Sequence, residues 1–366
     1  MRPALQERIV FYAPSLNMSR SDLEVSHVKK VGVGVLGLGF MATRVHLPAL
    51  RKIEEAELVA VSSRSPEKAK EFGEKYGAKA YYTDYREMLR DPEVDVVFLC
   101  LPPSLVASVG LEVAGAGKNA ILECPIAETL EQVDRLIEAE RRAGVRLMPG
   151  QCLRFTPSFV KARELVEGGE IGAPVMIYFV EFVPAASLAL QWEPGSWIWN
   201  KERGGPVPTM TVFSLDLVRW LLASEPVSIY AAIWFLDLPQ FGGTLGYNVG
   251  IITKFKSGAI VINQNSGSVA TSLEKVRLEI VGERGNAVVA EGGTTAILYG
   301  EKEEKQRWTF PVKGTEMWGH RQQDRHFIQS IAEGRKPAVT LQDARKALEM
   351  TLAALESDKT GRSVKL

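Results

Sequence analysis

The fold is decided by the stretch VGVGVLGLGFMATRVHLPAL, residues 31–50. Its first six residues are rich in valine, as in a strand that is buried within a parallel sheet. The strand runs directly into a G-x-G-x-x-A sequence, which is a variant of the turn that binds a dinucleotide. The first glycine permits a tight turn, the second lets the backbone approach a pyrophosphate, and the alanine keeps the next helix close to the sheet. The predicted cofactor contacts of this turn are Gly37, Leu38, Gly39, Phe40, Met41 and Ala42.

The alternative is that the two glycines serve a strand–helix turn without a ligand. The following residues favour the cofactor, because a second predicted strand, residues 57–61, ends in Ser-Ser-Arg-Ser-Pro. Units that bind NAD commonly carry an acid at this point, where it bonds the ribose 2′-hydroxyl. Here Ser63, Arg64 and Lys68 offer donors and positive charge for a 2′-phosphate instead. The predicted cofactor is therefore NADP, with NAD as a further possibility; a solvated turn with incidental charge is the competing interpretation.

Strand-like and helix-like segments continue to alternate up to residue 149, which predicts a doubly wound parallel sheet. Ligands of such sheets bind beyond the carboxyl ends of the strands. Two predicted strands, residues 95–101 and 120–123, end in prolines or polar residues. The cofactor contacts predicted at these ends are Leu101, Pro102, Pro103, Leu105, Glu123 and Cys124.

Composition excludes several classes of protein. The 44 basic residues equal the 44 acidic ones, and the sequence has no basic stripe, so we expect no nucleic-acid partner. Three cysteines without a Cys-x-x-Cys pair are typical of a reducing cytoplasm, and four scattered histidines predict no metal site. The apolar run 217–236 contains charges and a proline, which indicates a buried helix and strand, not a membrane span. Residues 1–29 form an extension without the features of a signal peptide.

The sequence resembles the glucose-fructose oxidoreductase/inositol dehydrogenase (Gfo/Idh/MocA) family. The resemblance covers nearly everything after residue 30 and is carried by GLGFMATRVHLPAL, SRSP, LPPSL, ECPIAETLEQ, LRFTP, GEIGAPV, RLEIVGERGNAVV and the final DRHFIQSIAEGRKPAVTLQDARKALEM. It implies a Rossmann domain, residues 30–150, and a second α/β domain, residues 151–366, built on a large open, mostly antiparallel sheet. It also implies a substrate between the domains, and a homodimer or homotetramer formed through that sheet.

The residues that transfer protons in similar enzymes are replaced. The family's usual Glu-Lys-Pro is Glu123-Cys124-Pro125 here, and cysteine is neither a cation nor an equally long donor. When DLVRWLL is aligned by its aspartate, Thr209 and Phe213 occupy the positions of the family's usual Asp and His. Val106 likewise stands where a histidine is usual. All of these positions have become neutral.

Several residues are candidates for contacts with substrate or cofactor and for proton transfer in place of the replaced residues. By resemblance, Arg154 faces the cleft and Gln151 lies near the cofactor. Lys201, with Glu202 and Arg203, reaches the substrate or belongs to a solvated loop, and Tyr247 acts through its hydroxyl or merely packs. Cys124 is either a thiolate or a small buried filler. An aromatic and apolar set, which either lines a pocket or belongs to a core or interface, consists of Trp192, Trp197, Trp199, Met210 and Phe213.

These features predict an NADP(H)-dependent oxidoreductase that moves a hydride to or from a small organic molecule such as a sugar, polyol, or other carbonyl or imine compound. Hydride transfer to an activated acceptor requires orientation more than a lysine, so loss of the lysine does not exclude an enzyme. One alternative is a non-catalytic NADP-binding sensor or structural protein. Another is a glycoside-cleaving enzyme that oxidises its substrate transiently on a retained nicotinamide.

Overall fold

The computed structural model describes residues 30–192, 195–201, 205–269, 276–311 and 318–366. The predicted extension, residues 1–29, lies outside this part of the chain, as do Glu202 and Arg203. The described residues form two sheets with helices packed on them.

The first sheet has six strands in the order β3-β2-β1-β4-β5-β6, and all of its strand pairs are parallel. Its central strand β1 is buried along its whole length, as the valine-rich run predicts. The predicted doubly wound parallel sheet is confirmed. The strands are β1 (Val31–Leu36), β2 (Ala56–Ser62), β3 (Ala80–Tyr82), β4 (Val96–Leu99), β5 (Asn119–Leu122) and β6 (Leu147–Pro149).

The helices of the first sheet connect its strands, and side-chain caps fix where several begin. Ser65, Asp84 and Thr129 each accept a hydrogen bond from a backbone N–H of the following helix, which satisfies a donor that the helix leaves free. A π-helical turn, Ala42–His46, leads into the first helix. The helices are α1 (Leu47–Leu50), α2 (Pro66–Tyr76), α3 (Tyr85–Arg90), α4 (Pro103–Gly115) and α5 (Leu130–Ala143).

The second sheet has nine strands in the order β14-β13-β12-β11-β7-β10-β9-β8-β15. All neighbours are antiparallel except β7 and β10, which run parallel, so the expected mostly antiparallel sheet is confirmed. The strands are β7 (Pro174–Pro184), β8 (Pro226–Leu238), β9 (Thr244–Phe255), β10 (Ile260–Val269), β11 (Val276–Gly282), β12 (Asn286–Ala290), β13 (Thr295–Tyr299), β14 (Glu304–Thr309) and β15 (Val364–Lys365).

Helices cover one face of this sheet, so alternate residues of its strands are buried. On β7 the inward positions include Ile177, Phe179 and Glu181. The helices of this part are α6 (Pro157–Glu167), α7 (Ala185–Gln191), α8 (Val207–Leu222), α9 (His320–Ala332) and α10 (Leu341–Thr360). Helix α8 has a proline in its first turn, where the missing N–H of proline would have no partner within the helix.

Helix α9 returns to the first sheet. Its Phe327 and Ile328 are fully buried in the same cluster as Val33 of β1 and Phe98 of β4. The predicted domain boundary between residues 150 and 151 stays a prediction, because α9, from the last part of the chain, packs in the core beside the first sheet. In the described ranges, no helix has the length and apolar character needed to cross a membrane, and the apolar run 217–236 is divided between α8 and β8.

Candidate active site

A cavity of about 800 Å³ lies between the carboxyl edge of the first sheet and the helix-covered face of the second. Its wall combines the predicted dinucleotide turn with residues of α8. Twelve of the residues predicted to bind cofactor or substrate, or to act in catalysis, line this cavity: Leu38, Gly39, Phe40, Met41, Lys68, Leu101, Pro102, Pro103, Glu123, Cys124, Thr209 and Phe213.

The turn after β1 has the geometry that a bound pyrophosphate requires. Gly37 has φ +89°, and a Cβ there would lie 2.4 Å from the carbonyl oxygen of Cys100, so no other residue fits without a shift of backbone. A Cβ on Gly39 would meet no atom within 4 Å, which leaves space for a ligand against the backbone. The next helix starts here, with Thr43 donating its N–H to the Gly39 oxygen over 3.0 Å. Ala42 is buried beneath it. These residues fit a dinucleotide.

The predicted 2′-phosphate contacts lie around the start of α2. Ser63 Oγ accepts a hydrogen bond from the Ser65 N–H over 3.2 Å, and Ser65 caps the helix through the Lys68 N–H. Arg64 is exposed beside them, and the Lys68 side chain reaches the cavity wall. This cluster presents two cations and a hydroxyl at the end of β2, where NAD-binding units commonly carry an acid.

Glu123 belongs to a buried charge cluster that reaches from the first helix to α9. His46 Nε2 donates to Glu123 Oε1, and Nδ1 donates to Asp324 Oδ2, both over 2.9 Å. Burial lowers the pKa of His46, but Asp324 and Glu123 outweigh it and raise the pKa to about 10. This cluster was not predicted from the sequence, although the DRHF stretch contains Asp324 and the π-helical turn before α1 contains His46.

Cys124 occupies the position at which the resemblance implies a lysine. Cys124 is buried in the cavity wall, where burial first and then the charges of Glu123 and Asp216 raise its pKa well above the ordinary value. These effects favour the neutral thiol, as in the buried-filler alternative, and a neutral thiol supplies neither a base nor a cation. Thr209 and Phe213 of α8 line the same cavity and are uncharged as well.

Arg154 does not line the cavity wall, contrary to the expectation from the resemblance. It is buried, and it binds Asp216 of α8 in a bidentate pair with N–O distances of 2.7 and 2.5 Å. Its Nη2 also lies 3.2 Å from Asp343 Oδ1 of α10. The guanidinium of Arg154 pairs with these carboxylates of α8 and α10, because the 3₁₀ turn Cys152–Phe155 places Arg154 beneath α8.

Five further predicted site residues lie outside the cavity wall. Lys201 pairs with Asp237 over 2.8 Å on the surface, as in the solvated-loop alternative. Tyr247 is fully buried, and Trp199 packs edge-on against Trp192, which does line the cavity. Gln151 is buried behind the wall. The remaining one is Leu105, whose side chain is exposed on α4.

Glu181, a buried carboxyl on β7 that was not predicted from the sequence, lines the cavity. It is hydrogen-bonded by Asn265 Nδ2 over 2.8 Å. Burial raises its pKa to about 7, against the opposing effect of this hydrogen bond. The signal was available, because Glu181 shares the inward parity of Ile177 and Phe179 in an otherwise apolar strand. His320 and Trp318 also complete the wall.

Two family models match the chain. A model described as an oxidoreductase family with an NAD-binding Rossmann fold matches residues 31–151, and one described as the GFO/IDH/MocA C-terminal domain matches residues 159–288. Among curated proteins, the myo-inositol 2-dehydrogenase of Thermotoga maritima is 29% identical over 338 residues, which are 91% of this chain and 98% of the relative.

Solved structures agree with this match. The aldose-aldose oxidoreductase of Caulobacter crescentus, crystallised with glycerol, has a TM-score of 0.79 and 27% identity, with 92% of this chain and 100% of that chain covered. A probable dehydrogenase from Thermotoga maritima has a TM-score of 0.78 and 29% identity, over 92% of this chain and 98% of that one.

Proposed function

The chain belongs to the Gfo/Idh/MocA oxidoreductase family, and from this premise we propose that it is an NADP(H)-dependent oxidoreductase acting on a small organic substrate. The observation that carries the proposal is the single cavity whose wall joins the dinucleotide turn to α8. A bound nicotinamide dinucleotide supplies a carrier for hydride. The chain's own residues would then hold the substrate next to it and handle the proton.

The wall of the cavity favours an uncharged substrate with a ring face. Trp192, Trp197 and Phe213 give flat apolar surfaces, on which a sugar or polyol ring stacks well. Lys68 is the single lysine or arginine among the described wall residues, and it belongs to the cofactor end. A carboxylate substrate would therefore lack a cationic partner near α8. Sugars and polyols are also the compounds named for the myo-inositol and aldose relatives.

The preference for NADP rests on the cluster at the end of β2, and Arg64→Ala tests it. A charge-assisted hydrogen bond contributes about 1.5–3 kcal/mol, so the variant is expected to bind NADPH roughly 10- to 100-fold more weakly and NADH with unchanged affinity. The measurement is fluorescence titration of the purified protein with each nucleotide.

Lys70→Ala is the matched control, because Lys70 is a cation of α2, the helix that follows Arg64, and its Nζ lies 3.9 Å from Glu74 Oε1, away from the cavity wall. It is expected to leave both affinities unchanged. The proposal of NADP is contradicted if the unsubstituted protein binds NADH as tightly as NADPH, or if Arg64→Ala leaves the ratio of the two affinities unaltered.

Turnover separates the enzyme from a non-catalytic sensor. The unsubstituted protein with NADP⁺ is tested against myo-inositol, D-glucose and D-xylose, and with NADPH against the corresponding ketones and lactones. Oxidation or reduction of the nucleotide that requires the added compound supports an enzyme. Tight binding of NADPH without any turnover across this panel supports the sensor.

We also propose that the second sheet forms a homodimer or homotetramer through its uncovered face. Four neighbouring strands place a row of apolar side chains on that face, in which Tyr230, Ile252, Ile262 and Tyr178 are consecutive register partners. Three of these residues are between 42% and 44% exposed, and Trp234 nearby is 69% exposed. A contiguous apolar patch of this kind is typical of an interface.

A further inference from the structure

One carboxyl group in the cavity is paired with an amide and not with a charged group of the described residues. Glu181 points inward from β7, and the register of β7 with β10 sets it directly beside Asn265. Among the described residues, the hydrogen-bond partner of Glu181 is Asn265, whose Nδ2 donates to Glu181 Oε2. The other cavity carboxyl, Glu123, is already bound to His46.

Within the part of the chain that the structure describes, the pKa of Glu181 responds to burial and to the Asn265 hydrogen bond, and no cation contributes to it. Tyr247 faces it from β9, and Cys152 faces it from the edge of the first sheet. Burial raises the pKa of both groups well above their ordinary values, so both are neutral. The cavity-lining residues that α7 and α8 supply are Leu188, Gln191, Thr209, Met210 and Phe213, and all of them are uncharged.

On the basis of the proposed function, we propose that Glu181 is the proton-transfer residue of this enzyme, in place of the lysine that Cys124 has replaced. During oxidation of an alcohol, the O–H bond breaks and its proton moves to the Glu181 carboxylate. The carbon–hydrogen bond breaks with its electron pair, which the oxidised nicotinamide dinucleotide accepts as hydride, and the C=O bond forms. Reduction reverses each transfer, with the protonated carboxyl returning the proton to the oxygen.

The surroundings suit this task. Burial raises the pKa of Glu181 to about 7, so carboxylate and carboxylic acid are both populated near neutrality, as a residue that accepts and returns a proton requires. Asn265 is a positioning residue: its amide fixes one carboxyl oxygen and leaves the other for the substrate. A purely structural carboxyl on an apolar inner face would instead be expected to have a cationic partner.

The first experiment follows the protonation of Glu181 without any turnover. Difference infrared spectra of the protein between pH 5 and 9 are compared with those of Glu181→Gln, which keeps the shape and can still accept the Asn265 hydrogen bond. We expect a carboxyl band with a midpoint near 7 in the unsubstituted protein and its absence in the variant. The positive ring of NADP⁺ or NAD⁺ should lower this midpoint, whereas the neutral ring of the reduced nucleotide should not.

A midpoint below about 5, or one that responds equally to oxidised and reduced nucleotide, overturns the proposal.

Turnover of myo-inositol or the aldoses is the second readout. Glu181→Gln should lower kcat about 100-fold or more and remove the pH dependence of kcat near 7, with NADPH affinity unchanged. Activity within tenfold of the unsubstituted protein also overturns it.

Glu279→Gln is the matched control, because Glu279 lies on the neighbouring strand β11 and accepts from Asn286, away from the cavity wall. It should change neither readout. If the unsubstituted protein turns over none of these compounds, the proposed function fails there. The infrared titration still tests whether Glu181 changes protonation near neutrality in response to the charge of the nucleotide, since it requires only nucleotide binding.

Discussion

His46 shows how one buried residue can join distant parts of the chain. Its ring binds Glu123 at the end of β5 and Asp324 on α9, and Asp324 lies 278 positions further along the sequence. A buried histidine flanked by two carboxylates is stable as the imidazolium, because each ring N–H donates to a negative oxygen. Glu123 is thereby held in a fixed place on the cavity wall.

The charge of His46 gives a testable pH dependence of stability. The pKa of about 10 in the folded protein exceeds the ordinary 6.5. The stabilisation is therefore complete below pH 6.5 and is lost as the pH rises through about 10. We expect the free energy of unfolding to decrease between pH 7 and 10 by up to about 1.4 kcal/mol per pH unit, measured by urea denaturation.

His46→Gln should remove this slope and also destabilise the protein, since two buried carboxylates then lose their cation. His326→Gln is the control on the same side of the molecule, because burial lowers the pKa of His326 and so gives it no stabilising charge in this range. A slope that survives in His46→Gln would show that another group titrates.

At the level of elements, a buried ion cluster joins the 3₁₀ turn Cys152–Phe155 to α8 and α10. Arg154 binds Asp216 and also contacts Asp343, which in turn accepts from Arg219 over 2.8 Å. Burial raises the pKa of Asp216 even though Arg154 opposes this, so the carboxylate depends on its partner. The cluster fixes α8, whose Thr209 and Phe213 face the cavity.

Arg154→Met is expected to cost about 3–5 kcal/mol of unfolding free energy, because Asp216 is left as an uncompensated buried charge. Arg154→Met combined with Asp216→Leu should recover most of this loss, since an apolar pair removes the buried charge. Chemical denaturation of the three proteins measures both effects. Arg345→Met, which breaks a pair with the half-exposed Asp134, should cost about 1 kcal/mol or less.

The reverse result, in which Arg154→Met leaves stability unchanged but weakens binding of a substrate, would indicate that Arg154 faces the cleft.

Two strands of the second sheet could not be predicted from sequence patterns. Strands β13 and β14 were not predicted; β14 has the sequence EKQRWT and is mostly exposed at the sheet edge. An edge strand without a buried face carries no apolar alternation, so its pairing with β13 is visible only in the structure.

At the scale of the whole molecule, two sheets with different roles form the cavity between them. The first sheet presents its carboxyl edge, as parallel sheets do toward their ligands. The second presents the inner face that carries Glu181, while its other face remains uncovered by the described helices. The residue that would transfer the proton therefore stands on the element whose far side forms the proposed subunit interface.

Ile252→Lys tests that interface, because Ile252 lies in the middle of the apolar row between Tyr230 and Ile262. A charge buried at the centre of an interface is costly, so the variant should move from a multiple of 40.3 kDa to that mass itself. Light scattering after size-exclusion chromatography measures the native mass. Tyr81→Lys, on an exposed edge strand of the first sheet, is the control and should leave the mass unchanged.

A native mass of 40.3 kDa for the unsubstituted protein would contradict the proposed assembly directly. Circular dichroism of Ile252→Lys distinguishes dissociation from unfolding, since a dissociated but folded subunit keeps its secondary structure.

The sequence by itself determined the first sheet and the dinucleotide turn, because both depend on local backbone chemistry and on motifs along the chain. The positive φ of Gly37 and the hydrophobic patterns of the strands act over a few residues. Which side chains meet was decided by the tertiary structure. Arg154 was predicted to face the cleft and instead pairs with Asp216, while Glu181, which had not been singled out, faces the cavity. Such contacts join residues that are far apart in sequence, and the burial that raises the pKa of Glu181 exists only once both sheets have packed.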